Sequence, residues 1–271
     1  MIELIRKIVP TRLRIWAYVT IITLVRWNSW LLRTYLFLLH GHMMKGISIR
    51  GGKPIYNYLG TEIDSPIDSL EAYVEVFCDN VYDHIATPKE GDTVIDIGAY
   101  VGMYSIKASK FVGDAGLVVA VEPLPSNIGY LERNTTSLPN IRIVNTALSN
   151  YTGSARLYSS PSSAAHSITY IRNDFTTVSV TTLDELIKSM GIQKVDYIKM
   201  DAEGSDVNIL LGANNVLLTH HPVLSMACYH TDKDGVPYTG RIIVYLQNMG
   251  YKCVTRKGYI YAKWSGTNNI S

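Results

Sequence analysis

Segments typical of strands and segments typical of helices alternate along the last two thirds of this chain, and that alternation limits the fold more than any other feature. The first strand-like segment is Thr93–Ala99, and the helix-like segment after it is Met103–Phe111. Further along, Ile141–Leu148 is typical of a strand and Asp206–Leu218 of a helix. Repeated alternation predicts an α/β, Rossmann-like fold with a mostly parallel sheet and helices on both faces. Tyr251–Arg256 and Tyr259–Trp264 lie on either side of Lys257-Gly258, so they predict an antiparallel C-terminal hairpin at the edge of the sheet.

The sequence divides the chain into three parts. Of its 271 residues 47% are hydrophobic, which is enough for a sizeable core. Residues 1–45 are expected to form a basic, apolar helical leader. Residues 46–89 are expected to form a β-hairpin and a helix, over 67–85, that abut the core. Residues 90–271 are expected to form the α/β domain, because no linker-like stretch interrupts the alternation.

The leader differs from the rest of the chain in charge. Residues 1–50 carry eight Lys or Arg and one acid, Glu3, although the whole chain has a net charge of only +2. The charge-free run from Ile15 to Val25 is shorter than the ~20 residues of a spanning helix, and Arg26 and Arg33 follow it. Basic and aromatic side chains on one helix favour a membrane interface. Docking on the domain or on a partner fits equally, and a span or signal anchor stays open.

The cysteines limit the compartment and the ligands. Cys78, Cys228 and Cys253 lie far apart in sequence, so neither a disulfide framework nor a zinc cluster is expected. We therefore expect a cytoplasmic protein, peripheral on the cytoplasmic membrane face if the leader binds lipid. Neither a metal site nor a nucleic-acid partner is expected, and whether the chain forms a homo-oligomer stays open.

The first strand of the α/β domain ends in a glycine-containing turn. In open α/β sheets ligands bind beyond the carboxyl ends of the strands, and this end carries Asp96, Gly98, Ala99, Tyr100 and Gly102. Gly98 permits a close approach of the backbone to a ligand. The glycines do not have the spacing of the dinucleotide motif. The carboxylate of Asp96 suits a ligand with a cationic end, such as a methionine moiety, and an ordinary tight turn is the alternative.

The next two strand ends indicate a nucleoside. Glu122, followed by Pro123, lies roughly 20 residues after Gly98, the placement of an acid that holds ribose hydroxyls in nucleoside-binding sheets. Ala147 is small enough for an adenine ring to lie against the chain at the following strand end. For Glu122 the alternative is a solvated loop acid.

Two later strand ends supply candidate catalytic groups. Asp201 and Glu203 are placed to orient a cofactor or substrate, and either could take a proton from a hydroxyl nucleophile. Capping of the following helix is the alternative. His230 follows the next strand and is a candidate general base, although a lone His is more often structural.

Five segments in this order resemble the FkbM-type methyltransferases of the class I adenosylmethionine-dependent fold, over roughly Glu90 to His230. The segments are Asp92–Ala99, Val121–Asn127, Asn145–Ser149, Val180–Leu186 and Ile198–Gly204. The last segment is the most specific of the five. The resemblance implies methyl transfer from S-adenosylmethionine, usually to a hydroxyl oxygen of a sugar or a related natural product.

The resemblance also implies roles for individual residues. By position, the methionine end would be held by Asp96, Gly98, Ala99 and Gly102, the ribose by Glu122, the adenine near Ala147 and the sulfonium near Asp201. Tyr100 departs from the family, whose members often have Asn there. Any contact of Tyr100 with the cofactor must therefore come from its backbone or its ring.

The expected reaction is an in-line displacement at the sulfonium methyl carbon, in which the protein mainly supplies positioning and desolvation. His230 or Glu203 would serve as the base, and the acceptor would be a hydroxyl of a sugar, glycan or glycolipid. The loops 159–167 and 232–240, with the region 46–85, are expected to shape the acceptor pocket. The alternatives are a nicotinamide-dependent oxidoreductase on a similar sheet and a non-catalytic nucleoside-binding scaffold.

Overall fold

The computed structural model describes residues 47–51, 53–66, 69–158, 174–229 and 236–266. The leader 1–45, the loop 159–167, part of the loop 232–240 and His230 lie outside these ranges, as do the expectations attached to them. Within the described ranges, no helix has both the length and the apolar character needed to cross a membrane. The chain separates into two compact units between Asp79 and Asn80.

The first unit is built on a three-stranded antiparallel sheet. In sheet order its strands are β1 (Ile47–Arg50), β2 (Lys53–Tyr58) and β3 (Thr61–Asp64). The ring of Tyr56, on β2, stacks on that of Tyr73 with the centroids 4.3 Å apart. The Tyr56 hydroxyl also lies 3.1 Å from the Ser69 hydroxyl. These contacts fasten the following helix onto the sheet.

That helix is shorter than the predicted stretch 67–85. It consists of α1 (Leu70–Tyr73), which continues into a π-helical turn at Val74–Cys78. Two residues later Asn80 has a left-handed backbone, with φ of +49°. Asn adopts a left-handed backbone more readily than most residues do. Because a left-handed residue cannot continue a right-handed helix, the helix ends before Asn80.

The second unit contains a seven-stranded sheet. Its strands are β4 (Thr93–Ile97), β5 (Leu117–Val121), β6 (Ile141–Val144), β10 (Tyr197–Met200), β11 (Val223–Ala227), β12 (Tyr251–Arg256) and β13 (Tyr259–Trp264). Their order is β12-β13-β11-β10-β4-β5-β6. The five strands from β11 to β6 pair in parallel, whereas β13 pairs antiparallel with both β11 and β12. The predicted mostly parallel sheet with an antiparallel C-terminal hairpin is confirmed.

Helices connect the parallel strands. They are α2 (Met103–Val112), α3 (Pro125–Thr135), α4 (Leu183–Ser189), α5 (Asp206–Leu211), α6 (Asn214–His220) and α7 (Thr239–Asn248). The connections through α2 and α3 step along the sheet from β4 to β6, whereas α5 and α6 step in the opposite direction, from β10 to β11. Because such crossovers are right-handed, the two sets of helices cover opposite faces, as predicted.

A small second sheet follows β6. It contains β7 (Ala147–Leu148), β8 (Gly153–Tyr158) and β9 (Phe175–Thr181), in the order β7-β9-β8. The sequence predicted one strand over 141–148, but the chain leaves the central sheet after Val144. The Asn145 side chain there donates hydrogen bonds to the carbonyls of Glu122 (2.9 Å) and Pro123 (3.1 Å), which turns the chain away.

The predicted single helix over 206–218 is two helices, and Gly212 is the reason. A Cβ on Gly212 would lie 2.1 Å from the Ser149 carbonyl oxygen, so the backbone at Gly212 packs directly against the backbone at Ser149. The Gly212 carbonyl also accepts a hydrogen bond from the Asp184 amide at 3.0 Å, instead of continuing the helix. A contact distant in sequence therefore divides a helix that the local pattern would continue.

Replacing Gly212 should destabilise the protein. We expect Gly212→Ala to lower the free energy of unfolding by about 2–3 kcal/mol, as overpacking against backbone does. Chemical denaturation measures the change. Gly240→Ala is the matched control, because a Cβ there meets nothing within 4 Å, and it should be neutral or stabilise by up to ~1 kcal/mol. Equal effects of the two substitutions would contradict this explanation.

Candidate functional site

The ends of β4 and β10 meet at the point where the strand order of the sheet reverses. The connections leaving these two neighbours run in opposite directions, which opens a crevice beyond their carboxyl ends. The Asp201 amide donates to the Ile97 carbonyl at 3.0 Å. A Cβ on Gly98 would lie only 1.9 Å from the Asp201 carbonyl oxygen, and Gly98 has φ of +74°. Glycine is required here both by space and by backbone conformation.

The rest of the turn after β4 is wound tightly. Ala99 is buried. Gly102 has φ of +93°, and a side chain there would place its Cβ 2.6 Å from the Leu131 side chain on α3. Tyr100 has φ of +54°, a left-handed conformation that a bulky residue rarely adopts. Glu203, in the turn after β10, has φ of +48°. Strained residues of this kind concentrate at functional sites, and here they occur on both sides of the crevice.

Asp96 lies beneath the turn and is 0% exposed. Its carboxylate accepts a hydrogen bond from the Ser105 hydroxyl at 2.6 Å and forms an ion pair with Lys199 at 3.1 Å. The Lys199 ammonium also donates to the Gly98 carbonyl at 2.8 Å. Asp96 therefore holds the lysine that supports the turn, and a contact of Asp96 with a methionine end stays a prediction.

Glu122 follows β5 and braces the same turn from its other side. Its carboxylate accepts from the amides of Tyr100 (2.9 Å) and Leu124 (3.0 Å) and from the Asn127 side chain (3.3 Å). Burial raises the pKa of Glu122 to about 7, although these hydrogen bonds oppose the shift. An ionised carboxylate accepts about four hydrogen bonds, so the three present leave capacity for a ligand hydroxyl.

The two other residues predicted to contact a nucleoside, Pro123 and Ala147, adjoin the segment that follows Glu122. Pro123 is half-buried, and its carbonyl accepts from Asn145. Ala147 begins β7 and is buried in a small apolar cluster with Leu124 and Val180. Contact of either residue with a nucleoside stays a prediction.

Asp201 has a carboxylate whose two oxygens differ. Oδ2 accepts a hydrogen bond from the Tyr82 hydroxyl at 3.0 Å, whereas Oδ1 is buried without a hydrogen-bond partner. Among the described residues, no basic side chain forms an ion pair with Asp201. A buried carboxylate oxygen without a counter-charge is suited to a cationic ligand, because leaving such a group unpaired is costly.

Of the two candidate bases, only Glu203 belongs to the described part of the chain. Glu203 is half-buried and lies two residues from Asp201 in the same turn, and its role in catalysis stays a prediction. His230 lies outside the described residues. No group of three His, Cys, Asp or Glu suitable for a metal ion occurs in the described part of the chain.

Sequence reasoning missed the segment 80–86, which runs beside Asp201. The hydroxyls of Tyr197 and Tyr261 donate to the carbonyls of Tyr82 and Val81, each at 2.5 Å. Part of this arrangement could have been anticipated from Tyr197 and Tyr261, because a tyrosine buried within a strand needs a hydrogen-bond partner for its hydroxyl. Nothing in the sequence indicates which backbone segment supplies those partners.

Comparison with known proteins identifies a family model and a curated relative. The model described as Methyltransferase FkbM domain matches residues 96–253, more than half of the chain. Hexuronic acid methyltransferase AglP of Haloferax volcanii is 27% identical over 130 residues, which make up 48% of this chain and 53% of that protein. The chain thus matches about half the length of this relative.

Similar solved structures are also methyltransferase folds. Methyltransferase FkbM from Methylobacillus flagellatus KT has a TM-score of 0.47 and 19% identity, covering 73% of this chain and 54% of its own. Fibrillarin from Aeropyrum pernix, solved with natively bound S-adenosyl-L-methionine, has a TM-score of 0.49 and 17% identity, covering 78% and 83%. At these scores we draw no functional conclusion from either structure.

The buried pair of Asp96 and Lys199 should be needed for stability. Lys199→Met leaves the Asp96 carboxylate buried without its counter-charge, and we expect the free energy of unfolding to fall by about 3–5 kcal/mol. Denaturation with urea measures it. Lys188→Met, at an exposed position of α4, is the control and should change it by no more than ~0.5 kcal/mol. Similar losses in the two variants would refute a special role for the pair.

Proposed function

Because this chain belongs to the methyltransferase FkbM family, we propose that it is an S-adenosylmethionine-dependent O-methyltransferase that methylates a hydroxyl of a sugar, glycan or glycolipid. The observation that carries the proposal is the buried Asp201 Oδ1, which has no hydrogen-bond partner. The backbone of Asp201 contacts Gly98, at the reversal of strand order where open α/β sheets bind their ligands.

The residues of the crevice fit this donor. Asp201 supplies a negative charge next to the cationic sulfonium, and the remaining acceptor capacity of Glu122 suits a ribose hydroxyl. The turn from Gly98 to Gly102 would hold the methionine end, and Ala147 would lie near the adenine. When bound, the donor supplies a methyl group that is already activated, so the protein's task is to position it and exclude water.

The acceptor hydroxyl must lose a proton as its oxygen forms the bond to the methyl carbon and the carbon–sulfur bond breaks. Glu203 is a base candidate within the described residues, and His230 is the other candidate from the sequence. Glu203 lies two residues after Asp201, in a turn where its backbone is left-handed, with φ of +48°. The leaving group departs as a neutral thioether, so the protein need not stabilise a negative charge on it.

A relative supports the acceptor class. The similar Haloferax volcanii protein is a hexuronic acid methyltransferase by name, and its similarity to this chain favours a sugar acceptor here. The basic leader would keep the enzyme near a membrane-bound glycolipid on the cytoplasmic face, or would dock on a partner or a second copy. Flotation with liposomes of anionic lipid, with and without residues 1–45, distinguishes lipid binding from docking.

Ligand binding tests the donor site. We expect isothermal titration to detect both adenosylmethionine and adenosylhomocysteine, and Asp201→Asn to weaken adenosylmethionine binding at least tenfold, because a charge-assisted contact is lost. Asp196→Asn, at the opposite end of β10, is the control and should leave the affinity unchanged. Absence of binding to the natural chain would refute the proposal, and tight NAD binding instead would favour an oxidoreductase.

The affinity should also depend on pH through Glu122. Its pKa of about 7 lies above the ordinary 4.5, so the uncomplexed protein carries the charged form fully only above neutral pH. A ribose hydroxyl donates best to that charged form, so adenosylhomocysteine should bind more weakly as the pH falls from 8 to 6. Titrations across this range measure the change, and Glu122→Gln should remove it. A flat profile in the natural chain would contradict this role.

A further inference from the structure

Tyr82 contacts the candidate site from outside the region that the family model covers. The matched residues begin at 96, whereas Tyr82 belongs to the segment before β4. It is 3% exposed, and its hydroxyl donates to Asp201 Oδ2 at 3.0 Å. The ring therefore reaches the end of β10 from a stretch of chain 119 residues away in sequence.

The Tyr82 ring is held from several directions. It packs edge-on against the rings of Tyr104, with centroids 5.4 Å apart, and Tyr259, at 5.6 Å. The Lys199 ammonium lies 5.2 Å from its centroid, within the range of a cation–π contact. The phenol thus has one orientation, and its hydroxyl is directed at a single oxygen of Asp201.

The backbone that carries Tyr82 is fixed as well. The Lys107 ammonium forms a buried ion pair with Asp83 and donates to the Asn80 side chain at 2.6 Å. The Tyr197 hydroxyl donates to the Tyr82 carbonyl. A segment that is anchored on both sides of Tyr82 has little freedom to withdraw the hydroxyl from Asp201.

From this geometry we infer that Tyr82 is a positioning residue for methyl transfer, which orients Asp201 so that Oδ1 stays available to the cationic sulfonium of the donor. The inference rests on the proposed function. One oxygen of the carboxylate accepts a hydrogen bond from the packed Tyr82 phenol, and the other is buried without a hydrogen-bond partner. This asymmetry fixes the side-chain rotamer of Asp201 and directs its charge to one place. A carboxylate free to rotate would distinguish less well between the sulfonium and the neutral thioether of the product.

The test compares affinities for the two ligands that differ in that charge. Dissociation constants for adenosylmethionine and adenosylhomocysteine are measured for the full chain, for Tyr82→Phe and for Tyr261→Phe. The control removes a hydroxyl that holds the neighbouring Val81 carbonyl but does not touch Asp201. We expect Tyr82→Phe to weaken adenosylmethionine about tenfold relative to adenosylhomocysteine, the loss typical of one hydrogen bond to a charged group. Tyr261→Phe should change both affinities equally.

A double-mutant cycle connects the effect to Asp201. In the Asp201→Asn background the charge is already absent, so adding Tyr82→Phe should leave the ratio of the two affinities unchanged. An additive effect in that background, or an unchanged ratio in Tyr82→Phe alone, overturns the role of Tyr82 while the natural chain still binds both ligands. Failure of the natural chain to bind either ligand refutes the proposed function itself.

A second pair of replacements keeps the test valid if Tyr82→Phe does not fold. 4-Aminophenylalanine at position 82 retains the ring and supplies an N–H donor in place of the hydroxyl, whereas 4-fluorophenylalanine fills the same space without a donor. The ratio of the adenosylmethionine affinity to the adenosylhomocysteine affinity should be kept by the first replacement and lowered about tenfold by the second. Equal ratios in the two proteins would overturn the inference.

Discussion

The contact between the ends of β4 and β10 determines the arrangement of the whole site. Gly98 and the Asp201 carbonyl approach so closely that no side chain fits between them. The turn after β4 must therefore bend back with left-handed residues, and Lys199 supports it through the Gly98 carbonyl. A buried cation requires the counter-charge of Asp96, which fills the space beneath the turn. Each later feature of the crevice follows from keeping those two strand ends in contact.

Much of the fold could be predicted from the sequence because the signals are local. Alternation of strand and helix patterns predicted the parallel sheet, and Lys257-Gly258 between two strand-like segments predicted the terminal hairpin, both of which the structure confirms. The family predicted from ordered motifs is confirmed by the match over residues 96–253. Where local pattern and tertiary contact conflict, as at Gly212, the contact determined the structure.

The candidate residues of the site could be chosen from the sequence in part, because strand ends can be located from local patterns. Asp96, Gly98, Glu122 and Asp201 were identified because residues at strand ends share one edge of a parallel sheet. What they contact was not predictable from spacing. Asp96 is engaged by Lys199 and Ser105, and the partner of Asp201 comes from a segment with no motif of its own. Hydrogen bonds between residues more than 100 positions apart leave no periodic trace in a sequence.

The anchoring of the segment 80–86 has a consequence for the smallest part of this chain that can fold. A fragment that began at the first residue of the family match would lack the carbonyls that receive the Tyr197 and Tyr261 hydroxyls. It would also leave the Lys107 ammonium buried without Asp83. The autonomous folding unit therefore begins before the family match does, and its limit is set by buried hydroxyl and ammonium groups. A boundary drawn from similarity alone would cut through the interior of the domain.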